Sequence, residues 1–429
     1  MTRITLFCAA LLLSIPPAGF TQPRVGLPES PDYKGEIRRG PDGKLIVVEK
    51  ATVPPETPTA HATTLIVGPD QAIRTITEAA KLARDGDIVE IRPGEYRGQT
   101  AIWTQNDLTI RGSGNASHTR PVLIADGQSA EGKGLWVVRG GRVRIENLEF
   151  RGVRVRDGNG AGIRFERGQL VIHRCAFIDN EMGILTGNSP DLTLEVSDSE
   201  FADAARHQVD LHHLLYVGAI GRFVLTGSRF SNGYRGHLVK SRARENHVRY
   251  NLLADGPGGR ASFELEFANG GLAYVIGNVF QKSDSADNSV LVSYGAEGPR
   301  WPDNALYFAH NTLINDRHAG TFLQVRAEKF PSGVENWLIN NLTIGNGELN
   351  TPANGRFEGN LTVQRGELID YAGLPLRLKT TSPLRGQVRV PGSARDSNLL
   401  PDAEFAFPAG TRPVAPGSTL APGAFQRGG

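Results

Sequence analysis

The sequence predicts an all-β chain wound into a parallel β-solenoid, and three observations carry that expectation. A short pattern recurs nine times at coil-like spacing, and asparagine fills its central place in the last five recurrences. The composition agrees: 51 glycines and 18 phenylalanines, with only two cysteines, suit many tight turns around an apolar interior.

The pattern is an apolar residue, then a small or amide residue, then an apolar residue or threonine. It reads Ile145…Leu148…Phe150, Ile172…Cys175…Phe177, Val196…Ser199…Phe201 and Leu225…Ser228…Phe230. It continues as Val248…Asn251…Leu253, Val275…Asn278…Phe280, Phe308…Asn311…Leu313, Leu338…Asn341…Thr343 and Phe357…Asn360…Thr362. The central slots thus fall at positions 148, 175, 199, 228, 251, 278, 311, 341 and 360, a spacing that suits one coil of short strands. Stacked ~4.8 Å apart, successive asparagines can hydrogen-bond one another and the turn backbone as an internal ladder. A chain of 429 residues would ordinarily divide into two or three domains, but a solenoid lengthens along its axis and remains one unit.

In chain order, residues 1–21 read as a signal peptide. Arg3 supplies the positive end, Ile4 to Ile15 is an apolar run too short to cross a bilayer, and small residues follow from Pro16 to Gly19. The expectation is export, to the periplasm or outside the cell; an uncleaved anchor is the alternative for the same segment. Cys8 lies within that run, so the mature chain keeps Cys175 alone and forms no internal disulfide. Residues 22–62, rich in proline, charge and threonine, read as a leader or linker. The solenoid is expected over 63–390. It opens on the strand Leu65-Ile66-Val67, then on Ile73, Ile76, Ala79, Ala80, Leu82 and Ala83 at helical spacing, a short helix that would cover the open end of the first coil. Asp85-Gly86-Asp87 stops the helix, and Ile88 to Ile91 is a strand ending at the turn Pro93-Gly94. Residues 391–429 read as an irregular tail. No later run is apolar enough to span a membrane. The balance of 47 basic against 45 acidic residues argues against nucleic acid as a partner. The chain is expected to act as a monomer.

In the stretch from Ile73 to Pro93-Gly94-Glu95-Tyr96, the asparagine ladder and the closing Thr381-Ser382-Pro383-Leu384, the chain resembles the right-handed parallel β-helix proteins related to pectate lyases, over roughly residues 64–386. The resemblance implies a right-handed parallel β-helix with a short N-terminal capping helix. Lyases, hydrolases, epimerases and adhesins share that fold, so chemistry has to be argued from residues.

A solenoid stacks equivalent positions into columns, so functional residues should share an offset from the slots. One common offset, counted back from slots 251, 278 and 311, reaches His237, Glu264 and Glu297. His212, His213 and Tyr216 stand close to that offset before slot 228, and the flanking coils carry Leu185 and Ala327. Lys240, Arg242, Glu266, Asn269 and Tyr294 lie around them. A strand buries every second residue, and an unpaired lysine or glutamate inside would be costly, so these groups are expected on an outer wall. His237 with Glu264 could equally be a cross-coil ion pair, and Lys240 with Arg242 a solvated strand face. His212-His213 has no third ligand at a recognisable spacing, so no metal is expected.

Val239-Lys240-Ser241, with Asn246 and Tyr250-Asn251, is similar to a segment of polysaccharide lyase family six, the alginate and chondroitin lyases. That resemblance implies Lys240 as the base. The family's calcium-binding glutamates are not matched, Gly233 and Arg235 standing in their places, and Glu264-Leu265-Glu266 occupies the stretch of its partner arginine. No cofactor is therefore expected. The blocks 237–243, 264–271 and 295–298 also resemble a group of exported β-helix repeat proteins.

The expectation is thus a lyase acting on an acidic, uronate-containing polysaccharide in a groove on the outer wall. In β-elimination a cation neutralises the carboxylate, a base takes the C5 proton and an acid protonates the leaving oxygen. Lys240 or His237 would be the base, Arg242 the neutralising cation and Tyr216 the acid, with His213, Glu266, Asn269, Tyr294 and Glu297 binding substrate. A hydrolase would instead use two of Glu264, Glu266 and Glu297. An epimerase or a non-catalytic glycan-binding solenoid also remains open.

Overall fold

A computed structural model of the protein describes residues 35–39, 45–49, 62–114, 120–206, 212–350, 352, 354–371, 373–395, 397–415 and 418–426. The expected signal segment, and all of the leader except its two short strands and Ala62, lie outside the described residues. The chain divides into units at 1–57 and 58–429. In the first, the described residues form an antiparallel hairpin of Gly35–Arg39 with Leu45–Glu49.

The second unit is a right-handed parallel β-helix, the sense that parallel crossovers take. Three parallel sheets of twelve, eleven and ten strands run its length. The first extends from Thr64–Val67 to Gly355–Glu358, the second from Glu95–Arg97 to Leu361–Val363, and the third from Ala101–Trp103 to Glu348–Leu349. Near the start, the helix Ile76–Leu82 is capped by the Thr75 side chain, which accepts from the Glu78 N–H at 3.1 Å. It buries Ile76 and Ala79 in the same core as the first strands.

Each recurrence of the sequence pattern is one coil. Its apolar residues are in register: Ile145 pairs with Ile172, that with Val196, and the column continues through Leu225, Val248, Val275, Phe308 and Leu338. Phe150, Phe177, Phe201 and Phe230 stack inside with centroids 5.1, 4.7 and 4.6 Å apart. Between these columns lies the asparagine ladder. The Asn251, Asn278, Asn311 and Asn341 amides each donate to the side-chain oxygen of the next asparagine, at 2.9, 3.1, 3.1 and 2.8 Å. The same four residues' backbone N–H groups donate to those oxygens at 2.9–3.1 Å.

The ladder answers a local backbone need. The residue before every slot (Asn147, Arg174, Asp198, Gly227, Tyr250, Gly277, His310, Asn340, Gly359) has φ between 50° and 67°, a left-handed bend that turns the slot N–H into the interior. A buried N–H needs an acceptor, and from Cys175 to Asn341 the next slot's hydroxyl or amide provides it. Ser199 Oγ serves Cys175 in this way at 3.1 Å.

From slot 251 onward the first and second sheets carry a second apolar layer on their outer faces. Leu252, Val279, Ile314, Leu342 and Val363 are covered by Leu376, Leu378, Phe405 and Phe425, while Tyr250, Tyr274, Tyr307 and Ile339 pack with Ala394 and Leu399. The segment expected as an irregular tail therefore folds back on the coils, with short hairpins at 393–398 and 403–413. No helix among the described residues is long and apolar enough to cross a membrane.

Candidate active site on the third sheet

The third sheet sorts side chains by strict alternation. In the strands Leu215–Val217, Val239–Ser241 and Leu265–Phe267 the outer two residues point into the core, and the middle residue faces out. The middle residues are in register, Leu185 with Tyr216, Tyr216 with Lys240, Lys240 with Glu266, and Glu266 with Ser293. The outward column thus changes from apolar to charged and back to small over five coils.

Residues from the adjoining turns close in on this column. Glu266 Oε2 lies 3.0 Å from His237 Nε2 and 3.2 Å from Lys240 Nζ. Lys240 Nζ is also 3.2 Å from Glu297 Oε1. Arg242 holds Glu297 through both terminal nitrogens, Nη2 at 2.7 Å, and donates to Asn269 Oδ1 at 2.7 Å and to the Tyr216 hydroxyl at 3.0 Å. Lys240 and Arg242 both stand over the Tyr216 ring, 5.9 and 5.8 Å from its centroid. At one end His213 and His237 pack with centroids 4.5 Å apart, and His213 Nδ1 accepts the His237 backbone N–H at 2.8 Å.

Eight of the ten residues expected at the site are therefore gathered on one wall. Glu264 and Tyr294 are not. Glu264 is fully buried 3.0 Å from the equally buried Lys282 ammonium. Tyr294 is fully buried, packs on Phe330 and donates its hydroxyl to the Gly271 carbonyl at 2.6 Å. The reason is register. Val239 pairs with Leu265 and Ser241 with Phe267 and then Tyr294, so the inward column claims Tyr294, and Glu264 falls opposite Leu238 instead of His237. A slip of one residue moves a side chain to the other face. The ion pair weighed as an alternative, His237 with Glu264, is not formed; His237 pairs with Glu266.

Two supporting residues did not emerge from the sequence as site components. Trp301 donates its indole N–H to the Arg242 carbonyl at 3.0 Å, and Phe263 packs edge-on against His237 with centroids 4.8 Å apart. Trp301 follows closely on the 295–298 block, the one signal that pointed towards it.

The electrostatics follow from burial and partners. Burial works to raise the Glu266 carboxyl, but His237 and Lys240 outweigh it and hold the group at about 2. Burial raises Glu297 as well, and Arg242 with Lys240 again brings it below the ordinary carboxylate value. Burial pushes His237 down against the pull of Glu266, and His213 well down, with His237 and Lys240 adding to the effect. Inside the wall, burial drives Glu264 up to about 8 despite Lys282. The wall thus sets two carboxylates that favour the ionised form and two imidazoles that favour the neutral form beside Lys240 and Arg242. Among the described residues no group of three or more His, Cys, Asp or Glu side chains converges on a metal-sized site. Cavities of about 590, 390 and 770 Å³ on other parts of the coils are lined by none of these residues.

No protein-family model and no curated protein matches the chain. Solved structures do. An alginate lyase from Paenibacillus sp. str. FPU-7 superposes with a TM-score of 0.50 at 13% identity, over 70% of this chain and 99% of that one. The pectate lyase Pel9A superposes with a TM-score of 0.52 at 14% identity, over 85% of this chain and 96% of that one. These are likenesses of fold. They agree with the parallel β-helix that the strand pairing shows and that the recurring coil pattern led us to expect. The family PL6 polysaccharide lyase Pedsa3628 from Pseudopedobacter saltans aligns with a TM-score of 0.39 at 12% identity, over 77% of this chain and 100% of that one, a similarity too loose to bear on chemistry.

Proposed function

We propose that the protein is an exported lyase that cleaves an acidic, uronate-containing polysaccharide by β-elimination on the outer wall of the third sheet. The observation that carries this reading is how the two outward glutamates are engaged: Glu266 lies 3.0 Å from His237 Nε2 and 3.2 Å from Lys240 Nζ, and Glu297 is held by Lys240 and Arg242. A glycoside hydrolase needs one carboxyl group protonated to act as the acid. Here Glu266 is held at about 2 and Glu297 below its ordinary value, while Glu264, the one glutamate of the three left above its ordinary value, is shut inside. The wall has no carboxylic acid to offer.

What it offers is positive charge beside a hydroxyl. Arg242, held in place by Asn269, would neutralise the uronate carboxylate and so acidify the C5 proton. Lys240 would take that proton as the free amine, after its ammonium has given one up to solvent. Its position between Glu266 and Glu297 orients the amine, and the family-six resemblance points to the same residue. The Tyr216 hydroxyl accepts from Arg242 Nε, which leaves its own proton free for the leaving oxygen. Neutral His237 would keep Glu266 in place and exclude a further charge. The positive charge comes from side chains, so the proposed reaction needs no metal. Two proteins of the same fold are an alginate lyase and a pectate lyase, which supports a uronate polymer as substrate. Export rests on the signal-like residues 1–21.

The test is to incubate the mature protein with alginate, pectate, glucuronan and chondroitin and to follow the ultraviolet absorbance of unsaturated uronate ends. Lys240→Ala should lose about 10²–10⁴-fold in turnover while folding normally. Reducing ends without absorbance, together with full activity in Lys240→Ala, would replace elimination by hydrolysis.

A further inference from the structure

The loop after the strand Val290–Tyr294 carries Glu297 across the wall to the two cations. It is fixed through its backbone: Glu297 N–H donates to the Ala268 carbonyl at 2.8 Å, and Arg300 N–H to the Asn269 carbonyl at 3.2 Å. The Lys329 ammonium donates to the Ala296 carbonyl, and Asn269 Nδ2 to the Gly298 carbonyl at 3.2 Å. The Glu297 side chain, by contrast, is 39% exposed, while Glu266 on the other side of Lys240 is 5% exposed. The two carboxylates that balance the cations are therefore unequal. Glu266 is built in, whereas Glu297 reaches in from solvent and can leave by side-chain rotation without moving the loop.

Counting charge shows what its departure does. With Glu297 in place, Lys240 and Arg242 are matched by Glu266 and Glu297. With Glu297 turned out, the same groups carry one net positive charge. The Arg242 fork and the Lys240 ammonium then lack a carboxylate in the place where one had been. A planar fork and an ammonium side by side fit a carboxylate in two-point contact.

We infer that the Glu297 carboxylate occupies the seat of the substrate's own carboxylate and must be displaced by it, so that the wall is self-occupied at rest. This rests on the reading of the third-sheet wall as a uronate site, and it adds where the acidic group of the sugar binds and what it competes with. Glu297 is accordingly a competitor for substrate. Neutral polysaccharides cannot dislodge it, because they bring no charge to take its place, and the loop becomes a filter for acidic chains.

Calorimetric titration tests this without any turnover. The probes are hexamers of mannuronate, galacturonate and glucuronate, with carboxyl-reduced hexamers as neutral controls. Glu297→Gln should bind at least one acidic hexamer about tenfold more tightly than wild type, as removal of a like charge beside the ligand requires. It should leave the neutral hexamers unchanged. Adding Arg242→Ala to Glu297→Gln should abolish the gain, with circular dichroism confirming the fold of each variant. Weaker or unchanged binding of all acidic hexamers by Glu297→Gln, including no binding by either protein, overturns the inference. A variant that gains affinity while no acidic polymer ever yields unsaturated ends keeps this inference and defeats the elimination reading, so the two fail separately.

Discussion

Glu264 and Glu266 stand two residues apart, each beside a lysine, and they meet opposite fates. Glu264 and Lys282 sit 3.0 Å apart with neither side chain exposed, and burial takes the carboxyl up to about 8. Glu266 and Lys240 sit 3.2 Å apart on the outer wall, where His237 and Lys240 overcome burial and hold the carboxyl at about 2. The chemistry of the pair is the same. Register and the number of partners differ, and these decide that one pair is part of the frame and the other part of the site.

The sharpest way to break this comparison is to remove the interior carboxylate. Glu264→Ala leaves Lys282 buried without its partner and should cost about 3–5 kcal/mol, read as a lower denaturant midpoint. Exchanging both partners, Glu264→Leu with Lys282→Met, should recover most of that loss. If the single variant unfolds like wild type, the interior pair is not a frame element. A smaller effect is expected from the ladder, which shows polar groups buried with their hydrogen bonds satisfied. Asn278→Leu strands the Asn251 N–H and amide and should cost about 2–3 kcal/mol; an unchanged midpoint would mean that the ladder carries no stability.

The finest test is pH. The Glu264 carboxyl is raised in the folded state, so its contribution is fully present below the unfolded value of 4.5 and is lost as pH rises through about 8. The Glu266 carboxyl is lowered, so its contribution is present above 4.5 and is lost as pH falls through about 2. Glu264→Gln should therefore flatten the stability profile on the alkaline side and Glu266→Gln on the acid side. Equal effects on both sides from either variant would erase the distinction between the two pairs.

How far the sequence disclosed each part follows from where the information lies. The coils were legible because every recurrence carries its own signal: an apolar residue, a slot and an apolar residue, with the slot asparagines fixed by a bend that each coil repeats. The site was legible as a neighbourhood and not as a register. Tyr216, Lys240, Glu266 and Ser293 share one column, yet they stand at unequal distances before slots 228, 251, 278 and 311, Ser293 much the farthest. Insertions in the turns change the offset, so a fixed count from each slot chose Glu264 in place of its neighbour Phe263 as the residue opposite His237. The packed C-terminal segment was not legible, because Phe405 and Phe425 are complementary to an outer wall assembled from coils far earlier in the chain, and no local period records that.

That covering segment also gives the molecule a weak end and a strong end. Coils in a solenoid lean only on their neighbours. Those from slot 251 onward are clasped on two walls by the chain that follows them. The earlier coils carry exposed ion pairs on the same walls, such as Arg142 with Asp107, Arg144 with Glu146 and Arg151 with Glu149, and such pairs hold little. Pulled or heated, the helix should open like a zip from its N-terminal coils and stall where the clasp begins. The candidate site spans that boundary, with Tyr216 on the unclasped side and Lys240, Glu266 and Glu297 on the clasped side.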